Sequence, residues 1–312
     1  MRAEFEQLGA LILIDLVPGR NLQYLQRLAR HAEIAFANTV LSATLVDAWA
    51  AHVPTCWYLH ELSAFETLAA SGVLAGPLAG AARVWAGSEL CATLVRPYRA
   101  DIIVLPYGVE PIQEVPQNRS DEEEGKLQIA VFGSVEPRKG QDLALAALAM
   151  LDPTDRAKVR LRLYGRQLDP EFSRSVLQTC GAMSEASFEG ELGHAAYRAA
   201  LARTDCVLIS SREDTAPLVS IDALSAGRML LITRAIGTSA WLNDGVDALI
   251  EDHADAANMA RLFRRALAAK PRAAEIGTAA KANYSANFSP ASFERRLNAE
   301  ITSAKSYQSR QE

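Results

Sequence analysis

The chain has 312 residues, of which 49% are apolar and 22% charged, and it carries a formal charge of −5. That length suits one large or two medium domains, and the composition is that of a folded globular protein rather than a disordered one. The acidic balance excludes a broad phosphate-backbone surface, so nucleic acid is not an expected partner.

Glu4 and Glu6 precede the apolar run Leu11–Leu16, so no secretion signal is visible at the N-terminus. Short runs rich in Val, Ile and Leu then alternate with segments of helical period, as βαβ units and a parallel sheet require. Strands are predicted at Ala10–Leu16, Glu33–Asn38, Thr55–Leu59, Arg83–Ala86 and Asp101–Leu105. Helices near Leu22–His31, Ser42–Ala51, Leu62–Ala70 and Glu89–Arg96 separate them. The uncharged stretch Thr67–Ala82 contains Gly72, Gly76, Pro77 and Gly80. It is shorter than the roughly 20 apolar residues of a spanning helix, and reads as a helix packed between domains or as a peripheral membrane contact.

From Pro111 to Lys126 the sequence turns polar, with Pro111, Pro116 and the carboxylate run Asp121–Glu124, which marks an interdomain linker. A second alternating series follows, with strands near Gln128–Phe132, Arg160–Tyr164, Ala186–Phe188, Cys206–Ile209, Met229–Thr233 and Ala248–Glu251. Its helices begin near Gln141, Pro170, His194, Pro217 and Ala254, and two terminal helices cover Ala273–Asn287 and Pro290–Ala304. The expected organisation is a first α/β domain over 1–110, a linker over 111–126, a second α/β domain over 127–287, and a C-terminal helix and tail over 288–312 that can cross back to the first domain. Two open α/β sheets would face each other across a cleft at the carboxyl ends of their strands.

The sharpest local signal is Val131–Gly140, a strand, a turn at Gly133 and Ser134, and then a helix led by Arg138 and Lys139. Glycine lets backbone approach a ligand, a helix start offers unpaired N–H groups, and Lys139 adds a mobile charge, so the segment reads as an anion site or as an ordinary solvated turn. A second segment, Ser210–Ala223, runs from a strand end into a helix, with Pro217 suited to the first turn and amides near Ala216–Val219 pointing outward. Asp214 and Asp222 are carboxylate acceptors suited to sugar hydroxyls, or else an N-cap and a surface helix residue. Cys56, Cys91, Cys180 and Cys206 lie far apart and read as buried thiols of a cytoplasmic protein. The histidines show no metal spacing and no Asp-x-Asp pair occurs, so neither a metal nor a cofactor is expected.

These segments resemble the GT-B glycosyltransferases of family 4, also called glycosyl transferases group 1. The resemblance rests on Pro106-Tyr107-Gly108-Val109-Glu110, Phe132–Gly140, Leu163-Tyr164-Gly165, Phe188-Glu189-Gly190, Asp214–Asp222, Ala226-Gly227 and Asn243-Asp244-Gly245, in register over about residues 30–300. It implies a GT-B fold, two Rossmann-like α/β domains facing across a cleft, and a retaining, metal-independent transfer of a sugar from a nucleotide-diphosphate donor in glycan synthesis. It further implies that Lys139 binds the diphosphate, Asp222 the ribose, and Asp214 the transferred sugar. Gly133, Ser134, Arg138, Gly165, Phe188, Glu213, Thr215, Ala216, Pro217 and Leu218 would line the donor site. His60, in the aromatic window Cys56–Glu61, would lie beside the sugar; read from its neighbours alone it is a buried structural histidine.

This sequence departs from the family in places. Both acids of the family's paired-glutamate motif are Asp here, Glu213 offers an alternative outer acid, Ser134 replaces a frequent arginine, and Tyr107 stands where asparagine is common. The resemblance implies a first domain shorter than in relatives, so a GT-B fold with a truncated N-terminal domain is expected, with Ala10–Leu16 in the vacant central strand position or the chain a fragment. That leaves open a non-catalytic nucleotide-sugar-binding subunit needing a partner chain, or a homo-oligomer formed through the short domain. The acceptor is unknown: a glycan, a lipid or a small molecule, met in the cytoplasm or at the inner face of the membrane.

Overall fold

The computed structural model describes residues 2–10, 12, 21–112 and 125–308. The chain forms two compact units, one of Met1–Trp85, Val95–Ile103 and Ala299–Glu312, the other of Ala86–Leu94 and Val104–Asn298. Both are α/β.

The first has a four-stranded sheet in the order β1 (Ala35–Asn38), β2 (Thr55–Leu59), β3 (Arg83–Ala86), β4 (Ile103–Val104), with β1 and β2 parallel. Its helices are α1 (Arg2–Gln7), α2 (Leu22–Ala29), α3 (Ala43–Ala50), α4 (Ser63–Ala70), α5 (Ala75–Gly80) and α6 (Glu89–Val95), the last of which lies mostly in the second unit. Cys56, Trp57 and Leu59 of β2 are wholly buried, which suits a strand covered on both faces. The apolar stretch after Thr67 is broken at Gly72 and continues as the short α5, whose last carbonyls, Leu78 O and Ala81 O, accept from the Arg99 guanidinium. No described helix is long and apolar enough to cross a membrane. Most of the predicted strand Ala10–Leu16 lies outside the described residues; Ala10 and Ile12 are not in a strand.

In the second unit six parallel strands lie in the order β10-β9-β8-β5-β6-β7. They are β5 (Leu127–Phe132), β6 (Val159–Tyr164), β7 (Ala186–Gly190), β8 (Cys206–Leu208), β9 (Met229–Thr233) and β10 (Leu249–Glu251). Between and after them come α7 (Gln141–Ala149), α8 (Pro153–Arg156), α9 (Pro170–Gly181), α10 (His194–Ala202), α11 (Leu218–Ser225), α12 (Ala256–Ala269), α13 (Ala273–Asn287) and α14 (Pro290–Gln308), the last of which belongs to the first unit from Ala299 onward. Alternation along each strand divides the core in two. Leu127, Ile129 and Val131 join Leu161, Leu231 and Phe263 on one face, while Ala130 and Phe132 join Val207, Ile221, Leu230 and Tyr284 on the other. The sheet is therefore helix-covered on both sides, as its near-continuous apolar strands require. Several bounds differ from the sequence reading: β1 begins at Ala35 rather than Glu33, β4 covers only Ile103–Val104, and the last helix runs on to Gln308. Pro217 is the N-cap and α11 starts at Leu218, and α8 was not expected although Asp152 before Pro153 is a sound start signal, its carboxylate accepting from Thr154 and Asp155 N–H.

Candidate functional site

The order of the second sheet reverses between β5 and β8, and ligands of open parallel sheets collect beyond the carboxyl ends of strands at such a switch. The loops there are 133–140 and 209–217, which hold most of the residues singled out above.

Two glycines let these loops close up. A Cβ on Gly165 would lie 1.8 Å from the Gly133 carbonyl oxygen, so the turns after β5 and β6 touch through bare backbone. Gly140 is left-handed at φ 65°, and a Cβ there would stand 2.0 Å from Ser210 O. The Ser210 hydroxyl donates to Lys139 O at 2.7 Å, and Arg212 N–H donates to Arg138 O at 2.8 Å. The Arg212 guanidinium grips both oxygens of Asp142 at 3.0 and 2.6 Å. Gln141 Nε2 donates to Ser134 O at 2.8 Å. The β5 and β8 loops are thus tied to each other by side-chain and backbone hydrogen bonds.

On this base sits a charged cluster. Lys139 Nζ lies 2.5 Å and Arg138 3.2 Å from the same oxygen of Asp214, and Arg138 also reaches Glu136 at 3.2 Å. Ser134 donates its hydroxyl to Glu136 Oε1 at 2.7 Å. Asp214 is held by its own backbone, since Gly237 N–H donates to its carbonyl at 2.9 Å. It is not an N-cap. Ser134, Arg138, Lys139 and Asp214 are therefore brought together, with half-buried Glu213 and buried Thr215 beside them in sequence. Ala216 and Pro217 are half-buried at the mouth of α11, and Leu218 is exposed. Phe188, on β7, packs against the core face that holds Leu161.

Asp222 is not part of this cluster. It lies a turn into α11, and its Oδ2 accepts the Tyr197 hydroxyl at 2.7 Å. Burial raises its pKa, while the Tyr197 hydrogen bond and the potential of His194 pull it down. Sequence reasoning missed Tyr197, Glu136, Arg212 and Gln141. Only Glu136, two residues from both Ser134 and Arg138, had a local signal.

His60 belongs to the first unit, at the end of β2. Its Nε2 pairs with Asn38 Oδ1 at the end of β1, and its ring lies 4.2 Å from that of Tyr58. The neighbouring Glu61 carboxylate accepts from the N–H groups of His60 and Val40, both at 3.0 Å, tying together the loops that follow β1 and β2. Thr39 in the first of these loops has φ 76°, the one positive φ outside glycine among the described residues. Such strain persists where surroundings over-determine the backbone.

Burial lowers the His60 pKa below 6.5, against the opposing pull of Glu61. The folded state thus favours neutral imidazole, and stability present above pH 6.5 is lost as pH falls through the folded pKa. We expect melting temperature to drop in that acid window and the drop to shrink in His60→Gln. Identical acid profiles for the two proteins would remove His60 as the cause.

The four cysteines are buried free thiols, and burial pushes Cys56 up to about 12, so it is inert at neutral pH. Among the described residues no group of three or more His, Cys, Asp and Glu could hold a metal ion.

The family model described as glycosyl transferases group 1 matches residues 113–283. Among curated proteins none matches this chain. Several solved structures share its fold. HepE of Anabaena in complex with UDP is 17% identical, at TM-score 0.81 over 97% of this chain and 89% of that one. A glycosyltransferase from Rickettsia africae is 15% identical, at TM-score 0.77 over 98% and 87%. Sucrose-phosphate synthase from Thermosynechococcus elongatus is 16% identical, at TM-score 0.73 over 94% and 81%. The two parallel-sheet units are Rossmann-like and the architecture is GT-B.

Proposed function

This chain belongs to the glycosyl transferases group 1, and from that premise we propose that it is a retaining, metal-independent transferase of the family 4 type, moving a sugar from a nucleotide-diphosphate donor. The observation that carries the reading is the cluster of Lys139, Arg138 and Asp214 on a glycine-built turn at the switch between β5 and β8. The diphosphate would replace the Asp214 carboxylate on Lys139 and Arg138, and the freed carboxylate would accept hydroxyls of the transferred sugar. The bond between the anomeric carbon and the phosphate oxygen breaks, and the leaving diphosphate gains charge. Lys139, Arg138 and the first amides of α11 stabilise that charge in place of a divalent cation. The acceptor hydroxyl attacks from the same face and its proton passes to the departing phosphate. His60 is proposed for the transfer step.

UDP, found in HepE, makes UDP-sugars the first donors to try, followed by GDP- and ADP-sugars. The deciding experiment incubates each with candidate acceptors, with and without EDTA, and reads product and anomeric configuration by NMR. Transfer with retention, unaffected by EDTA, is expected. An inverted product or loss of transfer with EDTA overturns the mechanism. Nucleotide binding without turnover, restored by a partner chain, would instead assign a nucleotide-sugar-binding subunit with an incomplete first domain.

We assign Asp222 to the ribose. Asp222→Asn keeps the shape and the Tyr197 contact but exchanges a charged acceptor for an amide, so UDP affinity should fall by about 1.5–3 kcal/mol. The raised pKa has a second consequence. A carboxyl whose folded pKa exceeds its unfolded one loses stability as pH rises through the folded value, so the amide should hold or raise the neutral-pH melting temperature. An equal loss of UDP and 2′,3′-dideoxy-UDP affinity would refute the ribose contact.

A further inference from the structure

The partner of Asp222 takes no part in the transfer steps. Tyr197 stands on α10 and donates its hydroxyl to Asp222 Oδ2 at 2.7 Å. Its ring is held edge-on by Phe132, with centroids 5.0 Å apart at 83°. Phe132 in turn stacks on Tyr164 at 4.9 Å and 12°. Phe132 and Tyr164 are the last residues of β5 and β6, next to Gly133 and Gly165. The carboxyl edge of the sheet therefore clamps the phenol, and with only two side-chain torsions the ring has little freedom left to lose. Its hydroxyl is set at a defined place relative to the turn that carries Lys139.

A buried carboxyl has two ways to avoid unpaired charge: it takes up a proton, or it accepts hydrogen bonds. The ionisable groups acting on Asp222 are Tyr197 and His194, both on α10 and one turn apart. Tyr284, packed from α13, feels Asp222 in return and gives its own hydroxyl to Val109 O at 2.7 Å. Burial and the adjacent carboxylate raise the Tyr197 pKa well above that of free tyrosine, so it stays a protonated donor. A carboxylate offers about four acceptor positions on two oxygens, and Tyr197 takes one on Oδ2. On the ribose assignment, Oδ1 is the oxygen that would serve the ligand.

The geometry points to Tyr197 as the positioning residue that sets sugar selectivity in the nucleotide: by fixing the Asp222 carboxylate, it favours ribonucleotides over their deoxy analogues. This rests on the ribose assignment of Asp222 and adds to it the group that orients the acceptor. Without the hydroxyl, the carboxylate can turn about its broad terminal torsion and is protonated at higher pH.

Tyr197→Phe keeps the ring and its contact with Phe132 and removes one oxygen. Titration of the full chain with UDP and with 2′,3′-dideoxy-UDP, from about pH 5 to about pH 8, reads the effect. The preference for UDP should shrink by about fivefold to thirtyfold, with dideoxy affinity unchanged. The pH at which UDP binding weakens on acidification should move up. In an Asp222→Ala background, where there is no carboxyl for the phenol to hold, the same substitution should change neither quantity. A purely structural Tyr197 predicts a lower melting temperature with preference and pH profile intact, and that result overturns the inference. If the parent protein itself does not prefer UDP, the ribose assignment has failed; if the parent prefers it and Tyr197→Phe does so equally, only the role of Tyr197 has failed. Should the variant not fold, NMR of ring-labelled tyrosine in the parent replaces it. One tyrosine resonance should respond to UDP and not to the dideoxy analogue, and identical responses would count against the proposal.

Discussion

Lys139→Ala lowers donor affinity or turnover by about tenfold to a thousandfold, or roughly 1.4–4 kcal/mol. The side chain is mostly enclosed, 19% exposed, and its partner Asp214 is 13% exposed, so the charge acts through a medium less screening than water. Its removal does more than delete a cation. Asp214 and Glu136 remain with Arg138 alone, and the diphosphate would approach a cluster of net negative charge. The upper end of the range is therefore expected. Asp214→Asn separates the two effects: it should raise affinity for free UDP by removing the competing carboxylate, yet lower transfer if Asp214 holds the sugar. Isothermal titration with UDP and a rate assay with the active donor test both arms. A folded Lys139→Ala protein with parental affinity and rate would take Lys139 out of the site.

Gly165→Ala is expected to reduce kcat/KM by about a hundredfold while leaving a folded protein. The new Cβ would fall 1.8 Å from Gly133 O, and backbone cannot yield as a side-chain tip can, so the turns after β5 and β6 must part by an ångström or more. Displacement on that scale at a reacting centre costs on the order of a hundredfold. Gly190→Ala is the control. It lies at the end of the neighbouring strand at φ 80° with open space around its Cβ, so only the cost of a strained backbone, about 1 kcal/mol, applies there. Equal kinetic losses in the two variants would mean that strain, not the touching of the turns, governs the site.

Much of the fold is legible in the sequence because buried parallel strands cannot disguise themselves. Thr55–Leu59, Arg83–Ala86 and Met229–Thr233 emerge with their predicted bounds, being short apolar runs between turn residues. The helix start at Asp169 before Pro170 is equally plain, whereas the same cap at Asp152 opens only the four-residue α8, too short to show a helical period. The loops that carry the charged cluster stand out in the sequence for a local reason, glycine and cations at a strand end, although the same pattern also fits an ordinary solvated turn. What could not be read is pairing across loops. Asp214 is 75 residues from Lys139 in sequence, and nothing local says that one carboxylate satisfies both cations. Tyr197 is further hidden, since a tyrosine on an amphipathic helix looks like core until its hydroxyl is seen on Asp222.

The charged cluster also bears on how fast a ligand is caught. Lys139 and Arg138 are offset by Asp214 and Glu136 within a few ångströms, so from beyond a Debye length the group is nearly neutral, on a chain whose overall charge is −5. If the proposed donor site is right, a nucleotide diphosphate drifting in from solvent would feel little steering from this group, and its capture would depend on a local exchange in which phosphate oxygens take the place of one carboxylate. Association by this route would then gain no electrostatic acceleration from the cluster, and inorganic anions, which cannot also occupy the ribose end, would be held less well than the nucleotide.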